Sequence, residues 1–188
     1  MSADIEAGYS SIVETMTAVL EAGAAGVNIE DRDGAALFGP AEQARRLASA
    51  RAAADRLGVR AWINARTDVY LLGVGAPETR LAATMERARA YADAGADSIF
   101  VPGLVDLDAI ASLADGPLPV AVMAFAGAPS VAEFTAAGAV RISLGSAIAQ
   151  AAYAVAARAA VELLEKGTYE SVADAIPYGD LNELLRTR

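Results

Sequence analysis

The chain repeats one joint. At three places a helical stretch closes on an alanine–glycine pair and an apolar run begins soon after: Glu21-Ala22-Gly23-Ala24, Asp93-Ala94-Gly95-Ala96 and Ala136-Ala137-Gly138-Ala139. Glycine in that place allows the left-handed backbone that ends a helix. Repetition of the joint implies serial βα units, and this constrains the fold more than any other feature. The apolar runs cover residues 2–6, 26–30, 60–66, 97–101, 118–125 and 140–144. Most are apolar nearly throughout, as strands covered on both faces are, so an α/β fold on a parallel sheet is predicted. Ser11-x-x-Glu14 and Ser130-x-x-Glu133 predict helix starts, and Pro40 and Pro77 suit first-turn positions. The count is about six units, then an alanine-rich helix over residues 146–166 and a helical tail over residues 167–188, in one domain of residues 1–188. Six units suit an open doubly wound sheet. A closed (β/α)8 barrel wants two more units and roughly 200–250 residues. Periodicity leaves both open.

Composition limits the chemistry. The 188 residues include no cysteine and no histidine, and Lys166 is the sole lysine. Disulfides, thiolate nucleophiles, thiolate or imidazole metal ligands and histidine-centred triads are excluded. The chemistry falls to Asp, Glu, Arg, Asn, Ser, Thr and Tyr, with a hard metal as helper. The net charge of −9 makes a nucleic-acid partner unexpected, because such binding needs a basic footprint. Met1-Ser2-Ala3-Asp4-Ile5-Glu6 is acidic and has no apolar core, so no secretory signal is expected. A cytoplasmic location fits that reading. Residues 143–166 are apolar but carry Gln150, Arg158 and Glu162, so they read as a buried or packed helix and no membrane partner is expected.

Strand C-terminal ends are where α/β proteins place their sites. Four of the runs carry polar residues there: Asp4 and Glu6; Asn28, Glu30 and Asp31; Asn64, Arg66, Thr67 and Asp68; Arg141 and Ser143. Residues two apart on a strand share a face, so Asp4 with Glu6, Asn28 with Glu30, and Asn64 with Arg66 are each expected to point one way. Carboxylates gathered at one spot need compensation. A Mg2+ ion held by Asp4, Glu6 and Glu30, leaving Arg66 for an anionic substrate, supplies it, since Mg2+ prefers oxygen ligands and retains waters. Plainer readings stand beside this one. Asp4 and Glu6 suit a solvated terminus, Asp31, Arg32 and Asp33 a solvated turn, and Arg66 an ion pair with Glu30 or Asp68. Arg141 with Ser143 suits either an ion pair or an anion contact. Gly145-Ser146 opens a helix whose amides could hold an anion. Trp62, Phe100, Met123 and Phe125 read as core.

At these residues the sequence resembles the phosphoenolpyruvate mutase/isocitrate lyase superfamily. Ala3-Asp4-Ile5-Glu6-Ala7-Gly8-Tyr9 resembles its metal-site motif. Gly26-Val27-Asn28-Ile29-Glu30-Asp31 resembles its Gly-x-x-Ile-Glu-Asp strand, and Ile63-Asn64-Ala65-Arg66-Thr67-Asp68 its Ala-Arg-Thr-Asp strand. Val140-Arg141-Ile142-Ser143-Leu144-Gly145 resembles its last strand. The resemblance implies a (β/α)8 TIM-type barrel, here incomplete with the first two βα units missing, because the metal motif usually lies on the third strand. It implies Mg2+ as cofactor, with Asp4, Glu6 and Glu30 as metal residues and Arg66 and Glu30 as catalytic residues. Arg66, Asn28, Asn64 and Ser143 are the expected substrate contacts. The implied activity acts on C–C or P–C bonds of a small 2-oxo or phospho-carboxylic acid through an enolate-like intermediate. A homo-oligomer that exchanges its last barrel helix, residues 146–166, is also implied. The family's lyases use a cysteine on a gating loop after the Ile-Glu-Asp strand. This chain has only residues 32–40 there and no cysteine, so the resemblance does not extend to isocitrate or methylisocitrate lyase activity. The alternative is a catalytically inactive, shortened homologue acting as a binding or assembly subunit.

Overall fold

The computed structural model of the protein describes residues 1–186. They form two compact units, one ending at Ser143 and one beginning at Leu144. In the first unit the elements run β1 (Ser2–Asp4), α1 (Ile12–Glu21), β2 (Gly26–Glu30), β3 (Arg32–Asp33), β4 (Ala36–Leu37), α2 (Pro40–Arg56) and β5 (Trp62–Arg66). They continue with α3 (Pro77–Asp93), β6 (Ser98–Val101), α4 (Leu107–Ala114), β7 (Val120–Met123), α5 (Val131–Ala136) and β8 (Ala139–Ser143). All six predicted strands are present, with their ends trimmed or shifted by up to two residues.

Six strands make one sheet in the order β1-β2-β5-β6-β7-β8, and every pair is parallel. Sheet order follows chain order once the small antiparallel β3–β4 hairpin is set aside. A doubly wound sheet needs a point where the order reverses. None occurs here, so the sheet is an open, six-stranded arc of barrel type. Crossovers of one hand put the helices on one side of such a sheet. Val27, Ile29, Ile63, Ala65, Ile99, Val101, Val120 and Val122 face that side and share a core with Met16, Leu20, Leu47, Tyr91, Ile110 and Phe134.

The local signals work as read. Ser11 Oγ accepts from the Glu14 N–H, and Ser130 with Glu133 forms a reciprocal capping box. Pro40 and Pro77 open α2 and α3. Gly23, Gly95 and Gly138 have φ of 93°, 89° and 95°, the left-handed closure the joints require. Gly26 answers a different need: a Cβ there would lie 2.6 Å from the Trp62 carbonyl oxygen, so β2 and β5 could not approach as they do.

Two expectations about the core fail. Trp62 is 53% exposed and Phe125 49% exposed. Trp62 stands on the face away from the helices, where its indole N–H donates to Ser98 Oγ at 2.8 Å. Phe125 follows the end of β7 and has left the sheet. Phe100 is buried and Met123 partly so.

The second unit comprises α6 (Ala147–Lys166), a 3-10 turn (Glu170–Val172) and α7 (Tyr178–Arg186). Glu162 fastens the turn to α6. Its carboxylate accepts from the Ser171 hydroxyl and N–H, from Thr168 Oγ1 and from the Glu170 N–H, and these donors, Ser171 foremost, pull it down to about 2. No residue of α6 is buried, contrary to the expectation of a buried or packed helix. Its 20 residues are also long and apolar enough to cross a membrane by length and composition alone. The abundant alanines raise the average enough to outweigh Gln150, Arg158 and Glu162.

Candidate active site

Strand pairing places the polar residues of the concave face in two rows. Asp4, Asn28, Asn64 and Ser98 are successive register partners on β1, β2, β5 and β6. Glu30, Arg66 and Phe100 form the next row, at the C-terminal ends of their strands. Three members of the first row are joined by side-chain hydrogen bonds. Asn64 Nδ2 donates to Asn28 Oδ1 at 2.7 Å, and Ser98 Oγ donates to Asn64 Oδ1 at 2.6 Å. A cavity of about 310 Å3 touches this row from the N-terminal side, lined by Ser2, Gly26, Asn28, Trp62, Asn64 and Arg141 among others. The charged row lies toward the opposite end of the strands.

Arg66 is the centre of the charged row. Its Nη1 lies 3.0 Å from Glu30 Oε2. Its Nε and Nη2 donate to the two oxygens of Asp68 at 2.7 and 2.9 Å, a planar fork on a carboxylate. Both ion pairs expected as plain alternatives therefore exist together. Burial would lower the Arg66 guanidinium, but the hydrogen bonds it donates to Asp68 and the charges of Asp68, Glu30 and Asp4 hold it above its ordinary value. Glu30 is raised as well: burial outweighs the pull of Arg66, and Asp68 and Asp4 push the same way. Two neighbours on one row thus share one field, which already carries more negative than positive charge.

At the edge, the alternation argument for Asp4 and Glu6 fails, because β1 ends at Asp4. The Glu6 N–H folds back onto Asp4 Oδ1 at 3.1 Å, and Glu6 has φ of 49°. Tyr9 follows at 50°. Non-glycine residues in the left-handed region carry strain of about 1–3 kcal/mol each and gather at functional sites. The loop is held nonetheless. The Glu30 N–H donates to the Glu6 carbonyl at 2.9 Å, so the backbone continues to pair while the Glu6 side chain is exposed. Among the described residues no three acidic side chains converge into a metal cage. Asp4 acts electrostatically on both Glu30 and Arg66, and with Asp68 forked onto Arg66, Asp4 and Glu30 are the two carboxylates left to a cation in this field. That donor set fits Mg2+, which binds through one or two carboxylates and keeps several waters.

Behind the row lies a cluster with no counterpart among the sequence expectations. Asp31, expected in a solvated turn, is fully buried. Its Oδ2 accepts from Arg87 Nη1 at 2.9 Å and from the Tyr91 hydroxyl at 2.8 Å, while Oδ1 accepts from the Asp68 N–H at 3.0 Å. The Tyr91 hydroxyl stays far above its ordinary value through burial first and the Asp31 charge second, so it remains a donor. Gln43 on α2 is also fully buried and donates to the Glu30 carbonyl at 3.1 Å. Arg32 and Asp33 are exposed on the hairpin, as expected. The available signal was an arginine and a tyrosine four apart on α3, on the stripe facing the sheet. Arg141 lies over the Phe100 ring at 5.7 Å, and Ser143 ends β8 with its carbonyl accepting from the Ala124 N–H at 2.7 Å.

Residues 1–164 match the phosphoenolpyruvate phosphomutase family. A Mycobacterium tuberculosis protein of uncharacterized function is 33% identical over 187 residues, 98% of this chain and 68% of that protein. A solved Burkholderia cenocepacia structure, described as a lyase/mutase, is 35% identical with a TM-score of 0.89, covering 98% of this chain and 68% of that one. Oxaloacetate acetylhydrolase in complex with its product oxalate is 26% identical with a TM-score of 0.82, covering 99% of this chain and 66% of that one. The order of the strands, the charged row at their ends and these likenesses agree: the chain belongs to the phosphoenolpyruvate phosphomutase family, within the phosphoenolpyruvate mutase/isocitrate lyase superfamily.

Proposed function

We propose that the chain is a Mg2+-assisted enzyme that makes or breaks a C–C or P–C bond in a small 2-oxo or phospho-carboxylic acid, through an enolate-like intermediate. One observation carries this reading: Arg66 is clamped between Glu30 and Asp68 at the strand ends, beside a face that holds further carboxylate charge. Asp4 and Glu30 would hold the cation, with Glu6 near them on the strained loop, and the bound cation would supply Lewis-acid stabilisation of an oxyanion. Arg66 binds the carboxylate or phospho group and faces the developing negative charge with donors fixed in advance. Its neighbours keep it charged, so it serves as an electrostatic group and not as a proton donor. Asn28 and Asn64 hold each other one row away, and with Ser143 they are the remaining candidates for substrate contact.

Oxalate, a planar dianion shaped like an enolate, is bound by oxaloacetate acetylhydrolase and is the natural probe. Mg2+ with oxalate should stabilise the folded chain by about 2.7 kcal/mol at a hundredfold excess over Kd, read as a rise in melting temperature. Glu30→Ala and Arg66→Ala should lose that rise. No rise in the wild type, or an equal rise in Glu30→Ala, overturns the reading.

A second reading, an inactive homologue serving as a binding or assembly subunit, draws on the 20 residues of α6, none of them buried. Under either reading α6 is placed against a second copy of the chain, as exchange of the last barrel helix requires. Light scattering tests this part: a monomer at every concentration counts against it. Turnover of 2-oxo acids by the assembled protein separates the two readings.

A further inference from the structure

The network behind the charged row is continuous with it. Arg87 and Tyr91 on α3 hold one oxygen of Asp31, the other oxygen of Asp31 holds the Asp68 N–H, and the Asp68 carboxylate holds two nitrogens of Arg66. Asp31, Asp68 and Tyr91 have no exposure to solvent. Water therefore cannot substitute for a lost partner without an opening of the core. The three hydrogen bonds of Arg87 all leave from Nη1: to Asp31 Oδ2 at 2.9 Å, to the Phe38 carbonyl at 2.9 Å and to the Tyr91 hydroxyl at 3.0 Å. One cationic nitrogen thus fixes Asp31 and also the chain that leads from β4 into α2.

We propose that Arg87 and Tyr91 are positioning residues for Arg66, fixing its guanidinium through Asp31 and Asp68 from the helix side of the sheet. The proposal rests on the reading of Arg66 as the anion-binding group. Its structural content concerns Arg66 alone and is measurable without a ligand. A residue that merely filled the core would change stability and leave the order of Arg66 as it was. A positioning residue changes the order of Arg66 in the folded protein.

The test is solvent exchange at the Arg66 Nε–H in 15N-labelled full-length chain, with the signal identified from an Arg66→Lys spectrum. Arg87→Met should speed that exchange by roughly tenfold, the factor that corresponds to losing the net stabilisation of about one hydrogen bond. Arg87→Lys should restore slow exchange, because an ammonium again places a cationic nitrogen with N–H donors opposite Asp31. The Arg51 Nε–H, bonded to the Gly95 carbonyl at 3.1 Å, should stay unchanged in every variant. If Arg87→Met does not fold, Tyr91→Phe serves, with a smaller change in the same direction. Unchanged exchange at Arg66 in the folded variants, or no rescue by Arg87→Lys, overturns the proposal. Titration with Mg2+ and oxalate separates it from the functional reading. Arg66 responding to Arg87→Met in a wild-type background that binds no oxalate keeps the relay and removes the function. Oxalate binding with an unresponsive Arg66 does the reverse.

Discussion

Glu30 and Asp31 are consecutive carboxylates with opposite surroundings. Glu30 looks out from the end of β2 onto the concave face, has one cationic partner in Arg66, and stands in the field of Asp4 and Asp68. Asp31 looks back toward the helices and is satisfied by a guanidinium, a hydroxyl and a backbone N–H. Alternation along one strand end separates a charge left partly uncompensated from a charge fully compensated. The difference teaches where function sits. A saturated buried pair holds the architecture, while a carboxylate kept short of partners has capacity left for a ligand.

Removal of the rear carboxylate should have the largest effect. Asp31→Ala leaves the Arg87 charge buried with only neutral acceptors, and loss of one member of a buried pair costs about 3–5 kcal/mol. Urea denaturation measures it. A loss below about 1 kcal/mol would mean that Asp31 is not the anchor its geometry describes. At the front, Glu30→Gln keeps an acceptor for Arg66 and should stay within about 1 kcal/mol of wild type without ligand. The same variant should lose the roughly 2.7 kcal/mol that Mg2+ and oxalate confer at a hundredfold excess. Equal ligand stabilisation in Glu30→Gln and wild type would erase the distinction between the two residues.

Much of this was legible in the residues, and the misses share a cause. The strands were readable because runs such as Val120 to Met123 have no polar alternation to obscure them. The closing glycines were readable because no other residue takes φ near 90° without strain. Sheet order was not readable, since periodicity does not say which edge the next strand joins. Asp31 was misread because the partner that permits its burial, Arg87, comes 56 residues later. Glu6 was placed with Asp4 by strand alternation, but β1 stops after three residues and the chain turns left-handed. Trp62 looked like core because an apolar ring in an apolar run does not declare that its face of the sheet is concave and open. The site was legible where its residues sit on strands, and illegible where a distant helix or a loop completes it.

The smallest effect is the most discriminating, because it fixes the sign of the field at Glu30. Burial raises this carboxyl above its ordinary 4.5 in the folded chain, against the pull of Arg66. The folded state then binds more protons than the unfolded state between that ordinary value and the raised one. Stability must fall as pH rises through this window. The contribution is fully favourable below 4.5 and is lost above the raised value. Glu30→Gln has no such group. In Mg2+-free buffer with a chelator, the stability of wild type minus that of Glu30→Gln should therefore decline as pH rises through the window, read from paired denaturation curves. A difference that grows with pH would mean that Arg66 outweighs burial. Glu30 would then be held as a compensated anion like Asp31, and the front of the sheet would lose its claim to spare capacity for a cation.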